Sequence, residues 1–324
     1  MINFATIGTN FVVDWFLEAA EQCDDLNYVG TYSRNREKGE AFSKKHNGKI
    51  VFTDLNALAK SNEIQAVYIA SPNSLHYEQA KLLIENGKHV MIEKTITSNQ
   101  RELEELIELA KKHNVVIMEA MRNVIDPGFE AIKEAVEIVK PIRRVSFQYC
   151  QYSSRYDKYK AGIFENAFKK EFSNGALTDI GVYCVHPLVK LFGMPQEIMS
   201  MAQILPDSID GQGTIIAKYP EMLAEVLYSK ITNSKVPSQI QGEKGAIIIE
   251  DIPSPRKVKI IFNDKTEKIM EVPDCENNLI FEAKEWARLI KNGKFTDEHI
   301  KYSLMSLKVM DEARRQQGIV FLAD

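Results

Sequence analysis

Glu93 and Lys94 place two opposite charges directly after the apolar run Val90-Met91-Ile92. Charges at the end of a buried strand carry a desolvation cost unless they are paired or used. A mutual ion pair would satisfy both without any function. A lysine fixed beside a cofactor can instead hold substrate hydroxyls and lower the pKa of a neighbouring acid. The residue types alone leave both interpretations open.

A second set of polar side chains lies in the glycine-flanked run from Gly175 to His186. Asp179, Tyr183 and His186 stand at i, i+4 and i+7, so a regular α-helix would place all three on one face. This spacing matches no common set of metal ligands, and the sequence predicts no metal site. A buried, hydrogen-bonded helix is the alternative. It is favoured for His186, which precedes Pro187, because satisfied core histidines are commoner than catalytic ones.

The loop at residues 8–13 reads Gly-Thr-Asn-Phe-Val-Val, follows the first predicted strand and opens the first helix. Backbone N–H groups and the helix dipole at such a turn can bind a pyrophosphate. Asn10 and Val13 stand where the usual fingerprint has its second glycine and its third small residue. We expect Asn10 to tolerate left-handed backbone and Val13 to push the helix slightly off the strand. On its own the loop is equally compatible with a turn that binds nothing. The candidate cofactor contacts here are Gly8, Thr9, Asn10 and Phe11.

The end of the second predicted strand reads Ser33-Arg34-Asn35, with no carboxylate before Glu37. A dinucleotide site for NAD usually has an acidic residue here, on the ribose hydroxyls. A hydroxyl and a guanidinium suit the 2′-phosphate of NADP instead, because arginine pairs with phosphate oxygens in a bidentate way. Ser33 and Arg34 therefore favour NADP(H) over NAD(H). The alternative is that Arg34 is a solvated surface charge.

The segment Ser71-Pro72-Asn73-Ser74-Leu75-His76 follows the fourth predicted strand. Pro72 and Asn73 shape a loop, and Ser74 is placed to cap the next helix. Polar groups here would face the nicotinamide ribose, although a plain connection between strand and helix fits equally well. The candidate cofactor contacts at these two strand ends are Ser71, Pro72, Asn73, His76, Glu93 and Lys94.

The elements that must position these residues alternate β-rich apolar runs with amphipathic helices over the first 120 residues, a pattern that predicts parallel strands with helical crossovers. Ligands of such doubly wound sheets bind beyond the carboxyl ends of the strands. Gly87 and Asn114 are expected to end two of the helices in left-handed conformations. The predicted strands are Ile2–Gly8, Leu26–Ser33, Ile50–Phe52, Ala66–Ala70, His89–Glu93 and Val115–Met118.

The pattern changes after Met121, where a turn and a helix at Phe129–Val139 are followed by strands separated by short turns. Such turns, as at Tyr219-Pro220-Glu221, predict antiparallel hairpins. The sequence therefore predicts an α/β protein with a dinucleotide-binding domain at residues 1–120 and a substrate-binding and oligomerisation domain at residues 121–324. The second domain's predicted strands are Arg143–Tyr152, Glu197–Leu205, Gly213–Tyr219, Met222–Lys230, Gly245–Glu250, Lys257–Phe262 and Thr266–Val272, followed by helices at Leu279–Lys291 and Glu298–Gln317.

The bulk composition favours a small-molecule partner. A chain of 324 residues is longer than a single hydrophobic core usually supports, so two domains are expected. The net charge of −4 offers no basic surface for nucleic acid or anionic lipid. The four cysteines are far apart, which indicates a reducing compartment. No apolar run reaches the length of a membrane span and the N-terminus lacks signal-peptide features, so we expect a cytoplasmic protein.

In order and spacing, these segments resemble the Gfo/Idh/MocA family, which includes glucose–fructose oxidoreductase, inositol dehydrogenase and dimeric dihydrodiol dehydrogenase. The resemblance implies a Rossmann domain followed by an α/β domain whose large, mostly antiparallel open sheet often forms the interface of a homo-oligomer. Lys94 looks like the family's lysine, Asp179 like its aspartate and Tyr183 like its acid/base. Thr95 departs from the proline that usually follows the lysine. The pieces that carry the resemblance are the Gly8 loop, Ser71-Pro72-Asn73 with His76, Glu93-Lys94, Met118-Glu119-Ala120-Met121 and Gly175 through Tyr183.

The first hypothesis is therefore a dehydrogenase or reductase that transfers hydride between NADP(H) and a sugar, polyol or related hydroxy-carbonyl compound. Tyr183 near Lys94 would move the hydroxyl proton, because free tyrosine, with a pKa near 10, needs a cation to act as a base at neutral pH. A regulatory protein that binds a dinucleotide without turnover is the alternative. A scaffold protein would leave the charges at Glu93 and Lys94 unexplained. The candidate substrate contacts are Arg122, Asn123, Tyr149, Arg155, Tyr156 and His186.

Overall fold

A computed structural model of the chain describes residues 1–206 and 208–324. The chain forms two compact units, each assembled from two stretches of sequence. The first contains Met1–Met121 and Glu276–Lys301, and the second contains Arg122–Cys275 and Tyr302–Asp324.

The first unit is built on a six-stranded parallel sheet with the strand order β3-β2-β1-β4-β5-β6. Strand order reverses direction at β1, so the sheet is doubly wound, as predicted. The predicted sixth strand was placed two residues early, because Asn114 and Val115 still belong to the end of the preceding helix. The strands are β1 (Ile2–Ile7), β2 (Leu26–Tyr32), β3 (Ile50–Phe52), β4 (Ala66–Ile69), β5 (His89–Glu93) and β6 (Ile117–Ala120).

Five crossover helices connect these strands: α1 (Phe11–Ala20), α2 (Arg36–Lys45), α3 (Leu55–Lys60), α4 (His76–Glu85) and α5 (Gln100–His113). Gly87 and Asn114 have φ values of 73° and 52°, which confirms the two left-handed helix ends. The prediction that Ser74 caps α4 was wrong. A 3₁₀ turn at Asn73–Leu75 leads into the helix, so α4 begins at His76, two residues after Ser74, and has no side-chain cap.

The second unit contains an eight-stranded sheet with the order β14-β13-β12-β11-β7-β10-β9-β8. Neighbouring strands are antiparallel except β7 and β10, which are parallel. The sheet confirms the predicted mostly antiparallel fold. The strands are β7 (Ile142–Cys150), β8 (Glu197–Ile204), β9 (Asp210–Lys218), β10 (Leu223–Ser229), β11 (Ser238–Gly242), β12 (Gly245–Ile249), β13 (Val258–Phe262) and β14 (Glu267–Ile269).

One strand of this sheet, β11, was missed from the sequence. Its sequence Ser-Gln-Ile-Gln-Gly carries a single apolar residue, Ile240, which is fully buried. Hydrogen bonds to β7 on one side and β12 on the other stabilise the strand. The local alternation of apolar residues cannot reveal such pairing, because the partner strands are distant in sequence or not encoded by the strand itself. The helices of the second unit are α6 (Pro127–Val139), α7 (Tyr156–Lys160), α8 (Val182–Phe192) and α10, which starts at the unit border (Ile300–Gln317).

Helix α9 (Leu279–Lys291) packs in the first unit, although the predicted division assigned it to the C-terminal domain. Its Trp286 is fully buried and makes edge contacts with Phe4 of β1 and Phe16 of α1, at centroid distances of 6.0 and 6.4 Å. The side-chain amide of Asn277, just before α9, donates a hydrogen bond to the Trp15 carbonyl. Periodicity reveals that α9 has an apolar stripe, but it does not reveal which sheet covers that stripe.

The helices within residues 1–206 and 208–324 include none with both the length and the apolar character needed to cross a bilayer.

Candidate active-site residues

Gly8 ends β1 with a φ of 115°, a conformation that favours glycine. A Cβ atom at this position would lie 2.8 Å from the Ala70 carbonyl oxygen, at the end of β4. Both the backbone conformation and the close approach of two strand ends therefore require glycine here. Val13 is fully buried behind this turn, within ordinary van der Waals distance of the position that a Gly8 Cβ would take.

Asn10 caps α1 with its side chain. Its Oδ1 accepts hydrogen bonds from the N–H groups of Val12 and Val13 at 3.0 and 3.3 Å, and its Nδ2 donates to the Ala70 carbonyl at 3.0 Å. The expectation of left-handed backbone was wrong, because φ is −95° and ψ is 173°. A residue that caps a helix through Oδ1 adopts extended backbone, and Gly8 already supplies the positive φ of the turn.

The N–H groups of Thr9, Asn10 and Phe11 donate to no described residue. Three consecutive unpaired donors at the positive end of α1 fit a pyrophosphate, which accepts such hydrogen bonds and is favoured by the helix dipole. The donor set of the turn therefore suits the dinucleotide that the sequence predicts.

The end of β2 presents an exposed cation. The Ser33 hydroxyl donates to the Asn35 carbonyl at 2.8 Å, and Asn35 caps α2 by accepting from the Lys38 N–H at 2.9 Å. Arg34 projects from this turn and makes no hydrogen bond or ion pair with the described residues. The turn is held by these two hydrogen bonds and leaves the Arg34 guanidinium exposed, an arrangement that suits a phosphate-binding arginine.

His76 connects the loops that follow β4 and β5. It is fully buried, with Nε2 2.8 Å from the Ser71 carbonyl oxygen and Nδ1 3.1 Å from the Thr95 carbonyl oxygen. Burial lowers the pKa of His76, while the hydrogen bonds with the Ser71 and Thr95 carbonyls oppose this effect. The structure places this predicted cofactor contact beneath the two loops.

The remaining candidates of the loop after β4 are half-buried. The Ser71 hydroxyl donates to Gln79 Oε1 at 2.7 Å. Pro72 precedes the 3₁₀ turn that contains Asn73. The loop is therefore fixed by its own hydrogen bonds and by His76, so its polar groups have defined positions at the carboxyl end of the sheet.

Glu93 and Lys94 are half-buried at the end of β5. The Tyr68 hydroxyl donates a hydrogen bond to Glu93. The peptide bond between Lys94 and Thr95 is cis. The N–H of Ile96 donates to the buried Glu119 carboxylate of β6 at 3.0 Å. With His76 on the Thr95 carbonyl, the backbone that follows Lys94 is held at two consecutive residues.

Asp179 lies in a π-helical turn, Leu177–Gly181, that leads into α8. Its carboxylate Oδ2 forms an ion pair with Lys230 Nζ at 2.7 Å. The prediction of one regular α-helical face for Asp179, Tyr183 and His186 was wrong. A π turn has more than four residues per turn and rotates Asp179 relative to the residues of α8.

Tyr183 is surrounded by two other predicted site residues. The Tyr149 ring meets it edge to face at 5.8 Å, and the Arg122 guanidinium lies 5.6 Å from the ring centroid. Arg122 also acts on Asp251: burial raises the pKa of that carboxyl, and the positive charge of Arg122 opposes the rise. Three predicted site residues of the second unit, Tyr183, Tyr149 and Arg122, therefore lie in contact with one another or share the Tyr183 ring as a neighbour.

Asn123 supports Tyr183 from the core. Pro187 lies inside α8 and has no N–H to donate to the carbonyl four residues before it, which belongs to Tyr183. Asn123 Nδ2 donates to that carbonyl at 2.9 Å and to the Ile252 carbonyl at 3.2 Å. Asn123, a predicted substrate contact, is buried, and its side chain stabilises the backbone at Tyr183.

The other three predicted substrate contacts have different surroundings in the second unit. Arg155 is exposed and pairs with Glu165 at 3.2 Å. Tyr156 stacks on Phe168 at a centroid distance of 6.0 Å. His186 is buried in α8, in agreement with the core interpretation that the sequence favoured.

Two residues near Asp179 were missed by the sequence interpretation, Lys230 and Asp210. Lys230 follows the apolar strand β10, and Asp210 begins β9, where its Oδ2 accepts from the Leu177 N–H at 2.6 Å. The signal for Lys230 was the one that identified Lys94, a lysine directly after an apolar strand. Asp210 gave no signal, because its partner is 33 residues away in sequence.

Within the described residues, Glu285, Glu298 and His299 form one group of potential metal ligands, with one atom of each within 4.8 Å of the others. Arg288 pairs with Glu285 at 2.6 Å and with Glu298 at 2.9 Å. Burial raises the pKa of Glu285, but hydrogen bonds from Arg288 and His299 outweigh this effect and bring it to about 2. Ion pairing therefore accounts for the cluster.

Comparisons with known families cover both units. Residues 2–121 match a profile described as an oxidoreductase family with an NAD-binding Rossmann fold, GFO_IDH_MocA, and residues 141–248 match the GFO/IDH/MocA C-terminal domain. The chain is 44% identical to scyllo-inositol 2-dehydrogenase (NADP(+)) IolU of Bacillus subtilis, over 100% of this chain and 99% of that protein. It is 29% identical to a trans-1,2-dihydrobenzene-1,2-diol dehydrogenase of Xenopus tropicalis, over 92% of each chain.

A solved structure shares the fold at low sequence identity. KijD10, a 3-ketoreductase from Actinomadura kijaniata crystallised with NADP and TDP-benzene, superimposes with a TM-score of 0.87 and 18% identity, covering 98% of each chain.

Proposed function

The chain belongs to the GFO/IDH/MocA family of oxidoreductases, and from this premise we propose that it is an NADP(H)-dependent dehydrogenase or reductase of a sugar or polyol. An inositol-type ring polyol is the first candidate substrate. The observation that carries the proposal is the 44% identity, along the whole chain, to an NADP-dependent scyllo-inositol 2-dehydrogenase. Conversion of a ring hydroxyl to a ketone removes a hydride and a proton, so the protein must manage both.

The cofactor contacts proposed here lie at the strand ends of the first unit. The unpaired N–H groups of Thr9, Asn10 and Phe11 would bind the pyrophosphate, and Arg34 would pair with the 2′-phosphate. The loops at Ser71 and Lys94 would face the nicotinamide ribose. NADP, when bound, supplies the hydride acceptor or donor.

The proton of the substrate hydroxyl is assigned to Tyr183 in this proposal. Free tyrosine is a poor base at neutral pH, and a cation favours the phenolate. Lys94 is proposed to serve the same step and to hold a substrate hydroxyl, while Arg122 places a further positive charge over the Tyr183 ring. Asp179 would accept a hydrogen bond from the substrate as an anion. The alternative, a regulator that binds the dinucleotide without turnover, would have no use for these groups.

A homo-oligomer is part of the proposal. One face of the eight-stranded sheet exposes Met199, Met201 and Ile216, with Met201 82% exposed. Apolar side chains clustered on a sheet face favour burial against a partner, and a second copy of the chain would cover them. Light scattering after gel filtration should give a mass of two or more chains, and Met201→Lys should lower it. A monomeric wild type would contradict this part of the proposal.

The test of the proposed activity is a direct assay. The protein is incubated with NADP and scyllo-inositol, myo-inositol, xylose or glucose, and separately with NADPH and the corresponding inosose, while absorbance at the reduced-nicotinamide band is followed. We expect turnover with at least one ring polyol and a preference for NADP over NAD. Tight NADPH binding without turnover on any polyol or sugar would favour the regulator instead.

A further inference from the structure

Lys230 is a buried cation in the second unit, and its side chain is 3% exposed. Its ammonium donates to the Ala167 carbonyl at 2.6 Å and pairs with Asp179 at 2.7 Å. The Phe168 ring lies 4.4 Å from the ammonium, at the distance of a cation–π contact. Burying an ammonium is costly unless its hydrogens are used. The Ala167 carbonyl, the Asp179 carboxylate and the Phe168 ring together offset the desolvation of the Lys230 ammonium.

These contacts join three separate pieces of the second unit. Lys230 follows β10, Ala167 and Phe168 belong to a 3₁₀ turn, and Asp179 lies in the π turn. Phe168 is also part of a buried cluster with Tyr159, Leu205 and Ile209, against which Tyr156 packs. A predicted substrate contact, Tyr156, is therefore connected to Asp179 through one aromatic ring and one ammonium.

We propose that Lys230 is a positioning residue of the active site, which holds the Asp179 carboxylate ionised and in one orientation and ties it to the aromatic cluster at Tyr156. The inference rests on the proposed function where it concerns turnover. Asp179 then acts as a fixed anion that accepts a hydrogen bond from the substrate, and it does not exchange protons. The ionised state follows from the ion pair, because an ammonium at 2.7 Å favours the charged carboxylate.

A second carboxylate, that of Asp210, lies near the ion pair between Lys230 and Asp179. Asp210 accepts from the Leu177 N–H, and its charge interacts with Lys230; burial raises the pKa of Asp210, while the bond from Leu177 and the charge of Lys230 oppose the rise. One buried ammonium thus serves two acidic residues. Among the described residues, four elements pack against the π turn: β7, α8, β9 and β10. Their titratable or charged side chains are Arg143, Arg144, Tyr149, Cys150, Tyr183, Cys184, His186, Lys190, Asp210, Lys218, Glu225 and Tyr228, and Lys230 follows β10 directly.

The first experiment measures the titration of Asp179 without substrate. The wild type and Lys230→Met are labelled with ¹³C at the Asp carboxyl carbons, and the Asp179 signal is assigned by its loss in Asp179→Asn. Methionine keeps an unbranched apolar stem beside Phe168, so the cluster retains its packing. We expect the Asp179 midpoint to move to higher pH by about one to three pH units in Lys230→Met. Lys230→Arg retains the charge and should restore the wild-type midpoint.

The second experiment measures turnover against pH. The acid limb of kcat/KM should move to higher pH in Lys230→Met by the same amount, and it should return in Lys230→Arg. On the Asp179→Asn background, Lys230→Met should have little further effect on kcat/KM, because the two residues act as one unit.

The matched control is Lys88→Met. Lys88 is also a buried lysine that donates to two carbonyls, those of Ser61 and Ile64 at 2.6 and 2.7 Å, but it forms no ion pair with a carboxylate of the described residues. This variant should lose stability and leave both the Asp179 titration and the acid limb unchanged. If Lys230→Met does not fold, Lys230→Gln is used, since it keeps a donor to the Ala167 carbonyl without the charge.

The outcomes separate the two proposals. An unchanged Asp179 midpoint in the neutral variant overturns the inference. A shifted midpoint with an unmoved acid limb overturns the role of Lys230 in the reaction. A shifted midpoint in a protein that turns over no sugar or polyol retains the Lys230–Asp179 pairing and overturns the proposed function.

Discussion

Asn10 performs with its side chain two tasks at the turn between β1 and α1. Its Oδ1 caps the helix, and its Nδ2 joins the turn to the end of β4 at the Ala70 carbonyl. A glycine at this position would leave the N–H groups of Val12 and Val13 without that acceptor. Asparagine in place of the usual second glycine therefore stabilises the anion-binding turn by hydrogen bonding. Gly8 alone provides the positive φ of the turn.

Arg34 is predicted to set the cofactor preference. Arg34→Ala should weaken NADPH binding by about 1.5 to 3 kcal/mol, or about 10- to 150-fold, and leave NADH binding nearly unchanged. Fluorescence titration with both cofactors measures the effect. Arg36→Ala is the control, because Arg36 is also exposed but faces Glu40. Equal affinities of the wild type for NADPH and NADH would refute the assignment.

Tyr183 is predicted to carry the proton transfer. Tyr183→Phe should lower kcat by about 10²- to 10⁴-fold with cofactor affinity and folding intact, because one hydroxyl is removed and the ring stays. Lys94→Met should be at least as damaging and should shift or abolish the Tyr183 ionisation in the pH profile of turnover, because it removes the cation that favours the phenolate. Steady-state kinetics and NADPH titration check both.

The control for Tyr183→Phe is Tyr219→Phe, which removes a second buried tyrosine hydroxyl of the same unit, one that donates to the Gly193 carbonyl at 3.1 Å. This control should leave kcat unchanged. Wild-type turnover by Tyr183→Phe would make the assignment wrong.

At the scale of the element, the junction of the π turn with α8 depends on two compensations. Asp210 accepts from the N–H of Leu177 at the start of the turn, and Asn123 donates to the Tyr183 carbonyl that Pro187 leaves without its usual partner. Each compensation comes from a distant part of the chain. The start of the helix that carries Tyr183 is therefore stabilised by tertiary contacts, which hold its side chains in defined positions.

Asn123→Ala is predicted to lower the free energy of unfolding by about 1 to 3 kcal/mol, because the buried carbonyl of Tyr183 loses its donor. The loss should be smaller when Pro187→Ala is already present, since residue 187 then has an N–H for that carbonyl. Urea unfolding of the four proteins of this cycle measures the coupling. Asn263→Ala, at an exposed amide that donates to the Glu243 carbonyl, is the control and should change little. Strict additivity would show that Asn123 acts elsewhere.

At the scale of the whole molecule, the chain crosses between its two units more than once. The first unit is completed by α9, whose Trp286 lies against Phe4 and Phe16. Residues near both ends of the sequence thus form one core. The first unit consequently depends on a segment that follows most of the second unit in sequence.

Trp286→Ala is predicted to destabilise the first unit by about 3 to 5 kcal/mol, the usual cost of removing a large buried aromatic side chain. Hydrogen exchange should show lost protection in β1 and α1, with β7 and β10 little changed. Phe147→Ala, at a fully buried position of β7, is the control and should give the opposite pattern. Equal loss throughout the protein after Trp286→Ala would indicate one cooperative unit.

The sequence by itself determined the fold class, the six parallel strands, most antiparallel strands and the strand ends that carry polar residues. These features depend on local information: the apolar period, turn residues and helix-ending residues such as Gly87 and Asn114. The identity of Lys94 and Tyr183 as site candidates also needed no tertiary structure, because a charge after a buried strand and a tyrosine in an apolar helix are conspicuous in one dimension.

Tertiary structure decided the partners. Each of four contacts joins residues far apart in sequence: Leu177 with Asp210, Asn123 with Tyr183, Asp179 with Lys230, and Trp286 with Phe4. The strand β11 formed despite a weak local pattern because it pairs on both sides. Hydrogen bonds, ion pairs and packing act over a few ångströms in space. The sequence could therefore name the groups that need partners, but the folded chain alone determines which groups meet.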